Sequence, residues 1–313
     1  MKRHRTALRS HCKATLCVLA VIVLMVASVE IGAEEAAGID LHPPDRAEIF
    51  MDGLISQTGG PQMNAALSAD GSEFLFCGLH QGEWTILSSR RTGNGWLEPN
   101  PLPFTSEFTD RDFTMSPDGQ RILFGSDRPR APGGPRLDKL DIVVAERTPS
   151  GGWSDPVNIG PPVNTDAGEN YPSVAKNENL YFFSCAEGGI GGCDLYVSLR
   201  RGEGYDPPIN LGTAINSTHH DWDAFVAPDE DFIIFSSQNR PDSLGAQDLY
   251  ISYRQHDGSW TKARNMGPKV NSSSDEICPS VSLDGEVFFF TSRRRGDADI
   301  YWMTTEIVDE LRP

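Results

Sequence analysis

Basic side chains are in short supply in this 313-residue chain, where 27 Lys and Arg face 44 Asp and Glu for a formal charge of −17. Five of the bases but only one of the acids fall within residues 1–33, so the remainder carries 22 against 43 and a formal charge of −21. A body that acidic is repelled by phosphate backbones and anionic headgroups, which argues against nucleic-acid binding and peripheral membrane attachment. Long apolar runs are missing after Val29, and no later segment could span a bilayer. Long uninterrupted helices are excluded as well, because 30 Gly and 22 Pro break up a chain whose hydrophobic share is 38%, a composition suited to a turn-rich β protein. There is no Gly-x-Ser-x-Gly hydrolase elbow. The Gly-rich stretch at 188–192 lacks the Lys-Ser/Thr ending of a phosphate-binding loop. Length alone would allow two domains at about 150 residues each, but all-β rings of this size count as one.

Cysteine is rare, at six residues. Cys12 and Cys17 lie in a segment with the three-part layout of a secretory signal: a basic start through Lys13, an apolar stretch from Ala14 to Val29, and a small residue ending Ile31-Gly32-Ala33. Residues 1–33 are therefore read as an export signal, with an uncleaved N-terminal anchor as the alternative, and the mature protein as periplasmic or secreted. Stable membrane insertion after cleavage is not expected, nor is a lipid anchor, since no small residues precede Cys17 in the required pattern. The exported part keeps Cys77, Cys185, Cys193 and Cys278 in a compartment that permits disulfides. Cys185 and Cys193 flank a flexible loop and are the expected pair; their spacing is wrong for a zinc knuckle.

What the chain has in abundance is self-similarity. Five segments align around a hairpin turn: Ser68-Ala69-Asp70-Gly71, Ser116-Pro117-Asp118-Gly119, Ala175-Lys176-Asn177-Glu178, Ala227-Pro228-Asp229-Glu230 and Ser282-Leu283-Asp284-Gly285. The turn positions 70, 118, 177, 229 and 284 lie 48, 59, 52 and 55 residues apart. Each copy continues with an apolar run such as Phe232-Ile233-Ile234-Phe235, a polar loop, and in four copies an Asp-led strand, at Asp141, Asp194, Asp248 and Asp299. Gly or Ser plus an aromatic follows at Trp96, Trp153, Tyr205 and Trp260, read here as the fourth strand. Three copies close on Asn158-Ile159-Gly160, Asn210-Leu211-Gly212 and Asn265-Met266-Gly267, leading to Asn164, Asn216 and Asn271.

Four short strands in about 50 residues cannot bury both faces alone but can stack beside copies of themselves, which is the blade of a propeller. The expected fold is all-β: a five-bladed β-propeller of four-stranded antiparallel blades over residues 46–313, preceded by an exposed leader at 34–45. The fifth copy stops after its third strand near Tyr301, so the segment from Ala47 to Ser56 is expected to complete the last blade and leave no free sheet edge.

The fullest copy, from Pro279 to Tyr301, with Asp284-Gly285, Ser292 to Arg294 and Asp299-Ile300-Tyr301, resembles the WD40-like repeat of TolB-type β-propellers, and the resemblance extends over residues 47–305. It implies an exported propeller used for binding or docking. A separate α/β domain ahead of the propeller is absent, so a role in the Tol envelope system does not carry over.

Candidate chemistry lies at fixed phase. Eight residues before the turns stand Gln62, Asp110, Glu169, Asp221 and Glu276, four carboxylates that would form an acidic ring in the channel or else satisfy local backbone amides. Asp110 with Asp112, and Asp221 with Asp223, share a strand face by alternation and would suit calcium or glycoside cleavage. The fourth copy adds His219, His220 and Trp222, a combination suited to a metal or sugar site or to packing between blades. Gln62 and Asn64 occupy the first-blade positions where five-bladed glycosidases carry their nucleophile, and neither can serve as one. The four repeated aromatics read as packing between blades, the four third-strand acids as loop braces, and the sequons at Asn216 and Asn271 as turn positions without glycan. Arg293-Arg294-Arg295 is the one basic cluster. Together these features lead to a monomeric, non-catalytic exported propeller that binds a protein, peptide or envelope glycan, with no cofactor except calcium as an option. A carbohydrate-active enzyme using the channel carboxylates is the alternative.

Overall fold

The computed structural model describes residues 42–56, 60–105 and 107–313. The segment read as an export signal, residues 1–33, and most of the expected leader at 34–45 lie outside the described residues. Pro44, within the leader, accepts a hydrogen bond from Thr304 N at 2.9 Å.

The turns set the blades. In all five, the residue after the turn position takes a left-handed conformation: Gly71, Gly119 and Gly285, where glycine does so without cost, and Glu178 and Glu230, where it is strained. Apolar runs on either side then pair as antiparallel strands. The second blade is typical, with Asp110–Met115 innermost, then Arg121–Ser126, Asp141–Glu146 and an outer Val157–Asn158. The third, fourth and first blades repeat that order around Glu169–Val174, Asp221–Val226 and Met63–Leu67. In the fifth, Glu276–Val281, Val287–Ser292 and Asp299–Thr304 are completed by Glu48–Ile49, with Glu48 opposite Trp302 and Ile49 opposite Tyr301. The N-terminal strand closes the ring. The fold is a five-bladed β-propeller.

The core is divided five ways, each cluster filling the seam between two neighbouring blades. Leu123 and Ile142 of the second blade meet Val174, Leu180 and Phe182 of the third. Leu195 and Tyr181 meet Ile233 and Phe235 of the fourth. Ile234 and Ile251 meet Phe288 and Tyr301 of the fifth, and Phe289 and Ile300 meet Phe74, Phe76 and the closing Phe50. The remaining seam joins Leu75 and Ile86 to Phe113 and Phe124. A blade buries its two faces only in the company of others, so stability is shared around the ring.

The fourth strand differs from expectation. The Gly-aromatic pairs are hairpin extensions of the third strand: Arg91 opposes Trp96, Arg200 opposes Tyr205, and single bridges join Arg147 to Trp153 and Arg254 to Trp260. The outer strand comes from the following phrase, at Asn100–Pro101, Val157–Asn158, Ile209–Asn210 and Arg264–Asn265. The guanidiniums of Arg147 and Arg254 sit over Trp153 and Trp260 at 3.9 and 4.9 Å, a cation–π contact inside the hairpin. The same rings pack against the seam clusters, as expected.

The outer strand is fixed by a repeated network of three side chains. Asn164 Nδ2 donates to Ile142 O and Asn158 Oδ1, its Oδ1 accepts from Ile142 N, and Asn158 Nδ2 donates to Asp141, all within 2.9 Å. Asn216, Asn210 and Asp194 repeat it, as do Asn271, Asn265 and Asp248. Both sequon amides are therefore consumed inside the fold. Cys185 and Cys193 form a disulfide that closes the third-blade loop, while Cys77 and Cys278 are free and buried. No helix among the described residues is long and apolar enough to cross a membrane.

Candidate functional site

The four phase-matched acids turn into the blades and do not form a charged lining. Asp110, Glu169, Asp221 and Glu276 are each at most 1% exposed. Each accepts from a serine at the end of the second strand: Ser126, Ser184, Ser237 and Ser292. Three of them also hold an arginine from the loop after that serine. Arg240 Nη2 lies 2.7 Å from Asp221 Oδ1 and Arg294 Nη2 lies 3.0 Å from Glu276 Oε1, while Arg128 pairs with Asp110. These arginines also donate to the backbone carbonyls of Phe104, Ile215 and Val270 and lie over Phe108, Tyr250 and Tyr301. Burial pushes the Asp110 carboxyl above its usual range, and the Arg128 charge holds it back. In the third blade the disulfide loop replaces the arginine loop, and Glu169 takes Thr165 N and Oγ1 instead. Of the two expectations for these acids, the local brace is the one observed.

Two residues further along each inner strand, the chain does something the sequence reading missed. Asn64, Asp112, Tyr171, Asp223 and Cys278, one per blade at the same phase, all have φ between 49° and 57°. Each sits where the register between inner and second strand slips. Such a bulge re-aims the side chain and destroys simple alternation. Asp110 and Asp112 therefore do not share a face, and neither do Asp221 and Asp223. Their partners differ completely: Asp112 takes the Asn170 amide and Arg111 Nε at 3.6 Å, and Asp223 takes Ser236 Oγ at 3.1 Å with Cys278 Sγ at 3.8 Å.

Contacts between non-neighbouring blades show that these five residues meet on the axis. Asn64 Nδ2 of the first blade donates to Tyr171 Oη of the third at 3.2 Å, and that hydroxyl donates to Pro279 O of the fifth at 3.1 Å. Tyr171, 2% exposed, thus crosses the channel and plugs it. Burial pushes the Asp223 carboxyl up to about 7, helped by the nearby Asp112 charge and opposed by Ser236 and the Cys278 amide. In an unfolded chain the same group titrates near pH 4. Between about pH 4 and 7 the folded protein keeps a proton that the unfolded chain has lost. That contribution to stability is complete below pH 4 and is lost as pH rises through 7. We expect thermal midpoints to fall with rising pH over this window, and Asp223→Asn to flatten the slope; parallel profiles for the two proteins would remove Asp223 as its source.

The His-Asp-Trp stretch of the fourth blade is dispersed. His219 is exposed, with its carbonyl accepting from Gly192 N. The His220 ring stacks on Trp222 at 4.9 Å and presses on Gly192, where any Cβ would collide with it. Asp221 goes to Arg240, and Asp223 to the axis. The five side chains do not converge, and the calcium pairing of Asp221 with Asp223 is not assembled. Among the described residues no group of three or more His, Cys, Asp or Glu side chains is placed to hold a metal ion. The basic cluster is likewise spent, Arg293 on Asp275, Arg294 on Glu276 and Arg295 on Asp52.

A well-formed hollow opens at the turn end of the channel, with a volume of about 430 Å³. The C-terminal ends of the five inner strands form its wall, including Ala65, Phe113, Met115, Ser173, Phe225 and Ser280. Its rim carries Leu283, Asp229, Asp231 and Asp284 from the turns, and Val308, Asp309 and Arg312 from the short helix Glu306–Glu310 and the residues after it. A shallower hollow of about 550 Å³ lies at the opposite end, beside Trp84, Arg111 and Asn170. None of the residues predicted as a site lines the turn-end mouth.

No protein-family model matches the sequence, and no curated protein matches it. Among solved structures, a glycoside hydrolase aligns with 84% of this chain and 92% of its own, at 9% identity and a TM-score of 0.55. The α-L-arabinofuranosidase from Lactobacillus brevis aligns with 80% and 92%, at 12% identity and 0.52. TolB from Acinetobacter baumannii aligns with 79% of this chain at 12% identity and 0.47, and this chain spans about half of it, 52%. At such identities the likeness to the two hydrolases shows the propeller fold alone.

Proposed function

We propose that the protein is an exported, non-catalytic propeller, monomeric in its closed ring, that binds a protein, peptide or envelope glycan at the mouth of its channel. The observation that carries this reading is the burial of all four phase-matched carboxylates in internal hydrogen bonds, three of them with an arginine as well: a catalytic acid or nucleophile needs access to substrate, and these have none. The disulfide and the propeller fold are compatible with export. A thermal-shift screen of residues 34–313 against peptides and envelope oligosaccharides tests the reading. The expected result is a saturable upward shift with at least one ligand and no release of reducing sugar from any glycan. One feature favours the alternative of a carbohydrate-active enzyme, namely Asp223, near neutrality beside the charge of Asp112, as an acid–base pair would require. Sugar release that disappears in Asp223→Asn would overturn the binding reading.

A further inference from the structure

We propose that the turn-end mouth takes an extended polypeptide segment, with an apolar side chain seated in the cavity and a lysine or arginine beside it held by the rim acids. This rests on the binding reading above and specifies its ligand. The cavity of about 430 Å³ is large enough to admit an apolar side chain, and Phe113, Met115, Phe225 and Leu283 give it an apolar lining. Above that lining the rim is acidic: Asp229, Asp231, Asp284 and Asp309 against Arg312 alone. Apolar depth with an anionic rim is complementary to an apolar residue flanked by cations, and it repels acidic peptides.

Two details sharpen the assignment. Turn residues Asp70, Asp118, Asn177 and Asp284 each accept from the backbone N–H two residues on, and the three aspartates also hold the serine two residues before. In the fourth blade that serine position is Ala227, and Asp229 makes no such bond among the described residues. Its carboxylate is left on the rim with no part in the turn. Arg312, meanwhile, shows how a guanidinium docks here: Nη2 lies 3.1 Å from Asp231 Oδ2, and the group sits 4.8 Å over the Tyr253 ring. An incoming basic side chain would meet Asp229 and Asp284 in the same manner. A neutral glycan offers no cation to the rim acids.

The probe is the peptide acetyl-Gly-Arg-Phe-Arg-Gly-amide, titrated calorimetrically into the full exported chain alongside its Glu-for-Arg and Ala-for-Phe analogues and chitotetraose. We expect saturable binding of the first peptide, none of the Glu analogue, and affinity about tenfold lower for the Ala analogue, and for Asp229→Asn with the parent peptide. Asp229 is exposed and outside the turn network, so this variant should melt with the wild type. No binding of the parent peptide at millimolar concentration, or binding indifferent to Asp229→Asn and to Phe225→Ala, overturns the assignment. Binding of chitotetraose alone overturns it too but leaves the broader binding reading standing. Sugar turnover that depends on Asp223 overturns that broader reading as well.

Discussion

Replacing Asp221 by Ala should lower the thermal midpoint of residues 34–313 by roughly 6–20 °C, corresponding to about 3–5 kcal/mol. The carboxylate is fully buried, and its removal strands the Arg240 guanidinium between Ser237 Oγ and the Ile215 carbonyl with an uncompensated charge. The same holds for Glu276, which answers to Arg294, Ser292 and Ser272 at once. The pair can be separated from the fold by a double substitution. Glu276→Leu with Arg294→Met removes both charges while keeping a flexible apolar arm over Phe290 and Tyr301, and it should recover most of the loss. If Asp221→Ala melts with the wild type, these acids are not braces, and a ligand role for the ring becomes the better account.

These acids also show what a single sequence can and cannot disclose. Hairpin turns and the apolar runs beside them are local features, and five of them in phase made the blade count, the chain order and the closing strand readable. The Cys185–Cys193 pair was readable for the same reason, being a short loop between neighbouring strands. The fourth strand was misplaced by one phrase because two phrases compete for the same edge, and the Gly-aromatic one turns back on the third strand as a hairpin, as where Arg147 bridges to Trp153. Alternation placed Asp110 with Asp112 and Asp221 with Asp223, and the left-handed residue at each bulge undid both pairs. The axial layer was invisible for a deeper reason. Asn64, Asp112, Tyr171, Asp223 and Cys278 share a phase but not a chemistry, and they come together only after the ring has closed. The one available signal was that a chain so repetitive carries four residue types among its five copies at that position. The mouth was missed because its wall is built from residues that read, one by one, as ordinary strand ends.

Closure itself gives the other large effect. Phe50 is 1% exposed and packs against Phe74 of the first blade at 4.6 Å, and against Phe289 and Trp302 of the fifth at 5.2 and 5.3 Å. It fills the seam where the two ends of the chain meet, and Phe50→Ala should cost about 3–5 kcal/mol, read as a lower midpoint in urea at unchanged slope. Removing residues 42–56 goes further. The third strand of the last blade, Asp299–Thr304, would then present an unpaired edge, and Ile300 and Phe289 would lose the cover of Phe50 and Ile55. An exposed edge with apolar flanks recruits another strand. The truncated chain is expected to elute as dimers or larger species and to lose its cooperative melt, whereas residues 34–313 are expected to elute as a monomer. A truncated chain that remains monomeric and melts within a few degrees of the intact one would mean that the seam is held from the first-blade side by Phe74 and Trp96 alone, and that the closing strand is an ornament of the ring and not its clasp.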